Sequence, residues 1–154
     1  MGDLVDNGQD EYQWQAWMRS MKGIMDTIPG AVMLGNHEDY SLDWKMAKPE
    51  GQEFMPVFDA SHVDLVLSAH LHTYRDRGRI YDFRRAETGP YYIITGVAGD
   101  VRYPGLWKAH SLDIYSAPQP ETDNYLVMEA GEDALVVTGY TSDGQEIHKS
   151  VIRK

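Results

Sequence analysis

The chain has no cysteine. That excludes disulfides, thiol nucleophiles and thiolate-held metals, and it leaves the redox compartment open. Positive charge is scarce: 14 Lys and Arg stand against 24 Asp and Glu, a formal net charge of −10 over 154 residues. A chain this acidic repels phosphate backbones, so nucleic acid is not an expected partner. No apolar run approaches the ~18 residues of a membrane-spanning helix, so no membrane partner is expected either. The N-terminus carries no basic n-region and no apolar h-region, so the sequence as given contains no readable signal peptide. Repeats, low-complexity tracts and linkers are also missing, and residues 1–154 are therefore expected to form a single domain.

What is present is ordinary for a folded chain. Hydrophobic residues make up 42% and charged residues 25%, enough to build a core. Apolar residues at Trp14, Trp17, Met18, Met21, Ile24, Met25 and Ile28 fall at gaps of three and four, predicting an amphipathic helix from Asp10 to Ile28 that packs on the core. Pro29-Gly30 closes it, and Ala31 to Leu34 reads as a short buried strand. Tyr40 to Gly51 reads as a loop. A second helix is expected over Gln52 to Ala60 with Phe54, Val57 and Phe58 inward. Val63 to Ser68 is a buried-strand run that ends at Ala69-His70-Leu71-His72.

Beyond it the sequence turns β-rich. Strands are expected at Ile80–Phe83, Tyr91–Thr95, Tyr125–Glu129, Ala134–Tyr140 and Glu146–Ile152, with Ser142-Asp143-Gly144 as the last turn. Asp100 to Asp123 is expected to be a long surface loop with Trp107 and Tyr115 as aromatic anchors. Strand, helix, strand with polar residues at the strand ends gives the fold class as α/β, in which sites form where the strands' carboxyl ends open into loops.

Three clusters could carry chemistry: Gly2-Asp3-Leu4-Val5-Asp6-Asn7-Gly8, Gly35-Asn36-His37-Glu38 and Ala69-His70-Leu71-His72. The Asp3 carboxylate can bridge two cations, and Gly2 beside it lets backbone come close. Asn36 presents a neutral amide oxygen. His70 and His72, two apart at a strand end, can project from one face if the segment is extended. Two imidazole nitrogens, a carboxylate and an amide oxygen suit zinc, manganese or iron better than calcium. Each cluster alone is ordinarily a turn or a surface pair. Their occurrence together, in this order and at sheet edges, is not.

The segments GDLVDNG, GNHE and VDLVLSAHLHTYRD resemble, in that order, motifs of the calcineurin-like metallophosphoesterase superfamily. Within it they are most similar to the bacterial purple-acid-phosphatase-like branch, and YYIITGVAGD with the terminal hairpin is similar to that branch's tail. The resemblance implies a partial four-layer α/β/β/α sandwich with a β-rich C-terminal half. It implies hydrolysis of phosphate mono- or diesters, with small-molecule esters as substrates. The implied centre holds two metal ions (Fe, Zn or Mn) roughly 3.5–4 Å apart, whose bound hydroxide attacks phosphorus. By the same resemblance Asp3 matches the bridging carboxylate, Asn36 and His70 match ligands of the second metal, and His72 matches a ligand of the first. His37 matches the histidine that contacts substrate phosphate and protonates the leaving group, and Asp6 matches the acid that orients it. An exported or cell-surface parent is favoured over a cytoplasmic one.

Two departures accompany the resemblance. The family's opening strand ends in Asp-x-His, and this chain starts after that point. A second family strand, ending in a histidine between the Gly-Asn-His and His-x-His motifs, has no counterpart here, and His62 is a poor substitute for it. The donor set is therefore short. The chain is expected to be a piece of a longer enzyme or a sequence with segments omitted, binding one metal or none. The alternative function is a non-catalytic, metal-poor remnant that forms homo-oligomers through exposed sheet edges. Tyr74, Arg75 and Asp76 are expected to serve packing or a surface ion pair, Tyr91-Tyr92 the sheet, and His110 and His148 are expected to be solvated.

Overall fold

The computed structural model describes residues 4–7, 10–24, 26–27, 49–69, 72–95, 110–119 and 121–154, with the side chains of 49–53 excepted. These residues form a mixed α/β structure of two helices and two sheets, with most of the ordered length in strands. The expected strand at Ala31 to Leu34 lies outside the described residues.

The first helix, α1, runs Glu11–Met21. Asp10 caps it by accepting the Tyr12 amide at 2.9 Å, Glu11 occupies the first turn and Arg19 the last, as the helix dipole favours. The predicted extension toward Ile28, which lies outside the described residues, is not helical over residues 22–24 and 26–27. Lys22 leaves the helical region with its N–H still bonded to the Arg19 carbonyl, and Gly23 comes next at φ +88°. The expectation that the apolar stripe is core is also corrected: α1 has no fully buried residue, Met18 is exposed, and Trp14 and Trp17 meet edge to face at 6.4 Å.

The second helix, α2, runs Pro49–Ala60, three residues earlier than the composition suggested. Proline suits a first helical turn, where its missing N–H has no partner to lose. Phe54 and Phe58 stack at 6.4 Å as a one-turn pair, but the inward residue beside them is Met55, and Val57 faces solvent. The helix stops in a Schellman arrangement. His62 at φ +52° bonds the Asp59 carbonyl, and Val63 bonds that of Phe58, with histidine in the place usually given to glycine.

The first sheet has the order β1-β4-β2-β3, with β5 also on β2. Here β1 is Leu65–Ser68, β2 Arg75–Tyr81, β3 Arg84–Arg85, β4 Tyr91–Ile94 and β5 Tyr115–Ser116. β1 and β4 are parallel, Leu65 opposite Tyr91 through Ser68 opposite Ile94, and the remaining pairings are antiparallel. β2 begins five residues before the expected Ile80 because its charged run Arg75-Asp76-Arg77 is neutralised in place. Phe83 is not in a strand: Asp82 and Phe83 take φ +46° and +62°, the mirror-image turn that matches the twist of a two-residue hairpin.

The second sheet is an antiparallel meander of β6 (Asn124–Ala130), β7 (Ala134–Thr141) and β8 (Glu146–Arg153). The Ser142-Asp143-Gly144 turn forms as expected, with Gly144 at φ +88°. Tyr74, Ile93, Ala117, Val137 and Ile152 make the buried core between the two sheets. Leu65, Leu67, Leu126 and Leu135 pack around them.

Candidate metal centre

Parallel pairing fixes where a site can open. The carboxyl ends of β1 and β4 lie side by side at Ser68 and Ile94, tied by the Thr95 N–H to the Ser68 carbonyl at 2.8 Å. His72 belongs to the connection that leaves β1 there. It is half-buried and takes φ +49°, a left-handed conformation that histidine adopts more readily than most residues yet at some cost. The expectation that His70 and His72 share one face of an extended segment falls on His70, which lies outside the described residues; β1 itself ends at Ser68.

The residues after His72 are held on both sides of the chain. The Glu121 carboxylate, itself buried, accepts the Tyr74 N–H at 2.8 Å, the Thr73 hydroxyl and the Gln119 amide at 2.8 Å. The Tyr74 carbonyl accepts the Ala117 N–H at 3.0 Å. Burial pushes the Glu121 carboxyl above its ordinary range despite its donors at Thr73, Tyr74 and Gln119, which pull the other way.

Asp6 is exposed, on a short segment pinned to α1 by Gln13, whose Oε1 accepts the Asp6 and Asn7 amides at 2.7 and 3.0 Å. Asp3, Asn36, His37 and His70 lie outside the described residues, so His72 is the described member of the donor set. Among the described residues no three His, Asp or Glu side chains gather as a metal site. The donor chemistry of the set, two imidazoles with a carboxylate and an amide oxygen, fits zinc, manganese or iron.

Sequence reasoning missed a buried polar hub. Asp76, fully buried, accepts the Tyr91 hydroxyl at 2.7 Å, the Ser150 hydroxyl and the Gly78 amide at 2.7 Å. His148 Nε2 lies 3.2 Å from the same carboxylate, and its ring stacks on Tyr115 at 4.1 Å. His148 is therefore not solvated but part of the joint between the sheets. Alternation in β8 held the signal: Ile152 points inward, so Ser150 and His148 share its face. His110 is exposed, as expected. The surface ion pair expected near Arg75 is also corrected. Arg75 and Asp113 form a buried pair at 2.5 Å, with Arg77 Nε 3.1 Å from the second Asp113 oxygen.

Two clefts flank this structure. One of about 260 Å³ is lined by Tyr115, Ala117, Glu121, Asn124 and Thr141, between the sheets. The other, about 550 Å³, is lined by His62, Asp64, Arg79, Gly89 and Arg153. Asp64 and Gly89 precede β1 and β4, so this larger cleft sits at the amino ends of the parallel pair, away from His72. His62 is thus a helix-ending residue beside a different opening.

No family model matches this chain. It is similar to a plant protein of Arabidopsis thaliana named "Probable purple acid phosphatase 20", with 28% identity over 149 residues that cover 93% of this chain and 33% of the relative. The chain therefore spans about a third of the length of the curated relative it matches. Among the described residues no helix is long and apolar enough to cross a membrane.

Proposed function

We propose that this chain carries part of the catalytic face of a phosphoesterase that hydrolyses small-molecule phosphate esters at a dinuclear metal centre. The observation that carries the reading is the similarity to a purple acid phosphatase over 93% of the chain, joined to the order of the Gly-Asp, Gly-Asn-His and His-x-His clusters. The position of His72, past the carboxyl end of a parallel strand pair, supports it.

In this reading Asp3, Asn36, His70 and His72 are the donors that would hold iron, zinc or manganese. When bound, such ions supply Lewis acidity toward phosphoryl oxygen and a nucleophilic water at neutral pH. His37 contacts the substrate phosphate and gives a proton to the leaving-group oxygen, and Asp6 orients its imidazole. The resemblance to the purple-acid-phosphatase-like branch favours an exported parent protein.

A second reading is favoured by the exposed sheet surface. Among the described residues β6 and β8 each pair with β7 alone, and Tyr125, Val127, Met128 and Val151 are exposed. Such edges and apolar side chains fit a metal-poor, non-catalytic piece that self-associates. Dialysis against zinc or manganese, followed by metal analysis and sedimentation, separates the two. Retained zinc or manganese supports the phosphoesterase reading. No retained metal in a dimer supports the other.

A further inference from the structure

We propose that Glu121 is a positioning residue for His72, holding that histidine in its left-handed conformation from 49 residues away in sequence; the functional consequence rests on the phosphoesterase reading above. His72 stands at φ +49°, and nothing in an isolated Leu-His-Thr segment requires this. The two residues after it are unusually constrained. Thr73 and Tyr74 give their hydroxyl and amide, respectively, to one buried carboxylate. The Gln119 amide donates at 2.8 Å to the same carboxylate oxygen, Oε1, that accepts the Thr73 hydroxyl, while Oε2 takes the Tyr74 N–H, and the Ala117 amide closes on the Tyr74 carbonyl.

Thr73 and Tyr74 are themselves almost wholly buried, at 1% and 0% exposure. The Thr73 hydroxyl and the Tyr74 N–H therefore have no water to turn to if the carboxylate is withdrawn. The clamp on the two residues immediately after His72 fixes the direction in which the chain leaves it. Ligating imidazoles depend on such outer partners for orientation, and losing one costs metal affinity about 10- to 100-fold. The clamp reaches the metal ligand through its backbone, whereas the usual partner of a ligating histidine binds its second ring nitrogen.

The test tracks His72 in the full chain by NMR, in the wild type, Glu121→Ala and Glu121→Gln. A left-handed residue gives a strong intraresidue amide-to-α-proton cross-peak. Loss of that cross-peak in Glu121→Ala, with partial return in Glu121→Gln, is the expected result. The wild-type His72 ring should respond to added Zn²⁺, and Glu121→Ala should weaken that response about 10- to 100-fold. If Glu121→Ala keeps both the cross-peak and the Zn²⁺ affinity while only melting earlier, the positioning role is overturned. If wild-type His72 ignores Zn²⁺, this chain alone holds no metal there and the cross-peak alone judges the clamp. Should Glu121→Ala not fold, Glu121→Met decides: its side chain fills similar space and offers no oxygen to Thr73 or Tyr74, so an unchanged cross-peak there overturns the proposal.

Discussion

Gly139 of β7 lies directly beneath the ring of Tyr74: a Cβ at that position would stand 2.9 Å from Tyr74 Cε2. The two sheets approach one another through this missing side chain. Tyr74 is fully buried among Ile93, Val137 and Ile152, so its ring has little room to withdraw.

Gly139→Ala should therefore destabilise the chain, although alanine is ordinarily preferred to glycine within a strand. Overpacking a filled core costs about 1–3 kcal/mol. Urea unfolding monitored by far-UV circular dichroism checks this, and a midpoint equal to or above the wild type would show that the sheets can part to admit a methyl group.

Asp76→Ala should cost more than Ser150→Ala. Removing the carboxylate strands the Tyr91 hydroxyl, the Ser150 hydroxyl and the Gly78 amide together, and each buried group left unsatisfied costs about 1–3 kcal/mol. Removing the serine leaves the carboxylate its other partners. Denaturant midpoints of the two variants give the ordering.

The tyrosines should titrate in two groups. Tyr91 and Tyr92 are each pushed up to about 12, chiefly by burial, with the Asp76 carboxylate adding to it for Tyr91 and that of Asp59 for Tyr92. A raised folded value favours the neutral phenol. Its contribution to stability is complete below the ordinary value near 10 and is lost as pH climbs through 12. Absorbance near 295 nm should rise first for exposed tyrosines and again at high pH together with loss of structure. A single early step would contradict this.

Glu121 has the same sign at acid pH. Its carboxyl lies above the ordinary value because burial outweighs its hydrogen bonds. Its contribution is thus fully present below the unfolded value and falls as pH rises through the folded one. The stability difference between wild type and Glu121→Gln should shift in favour of the wild type as pH is lowered from neutrality toward that range. Thermal melts of both proteins across the range measure it.

Regular elements were legible where composition and period agreed. VDLVLS, YYII and the terminal meander read correctly because β-branched runs bounded by turn residues have few alternatives. α1 was overextended because the apolar stripe continues past Lys22, whereas the chain turns at Gly23. β2 was read too short because Arg75, Asp76 and Arg77 look like a solvated run. Their partners, Asp113, Ser150 and His148, come from distant segments that no local pattern announces. The motifs of the candidate site were visible in the sequence, but the surroundings of His72 were not. Its spacing suggested an extended strand, while it stands at φ +49° and the two residues after it bond Glu121, far along the chain.

The most direct test of the phosphoesterase reading is turnover of 4-nitrophenyl phosphate and its diester analogue with added manganese, wild type beside His37→Ala. The account predicts metal-dependent hydrolysis that falls about 10²- to 10⁴-fold when the imidazole is removed, the usual contribution of a positioned proton donor. Equal rates for the two proteins, or no hydrolysis by the wild type in manganese, would contradict it.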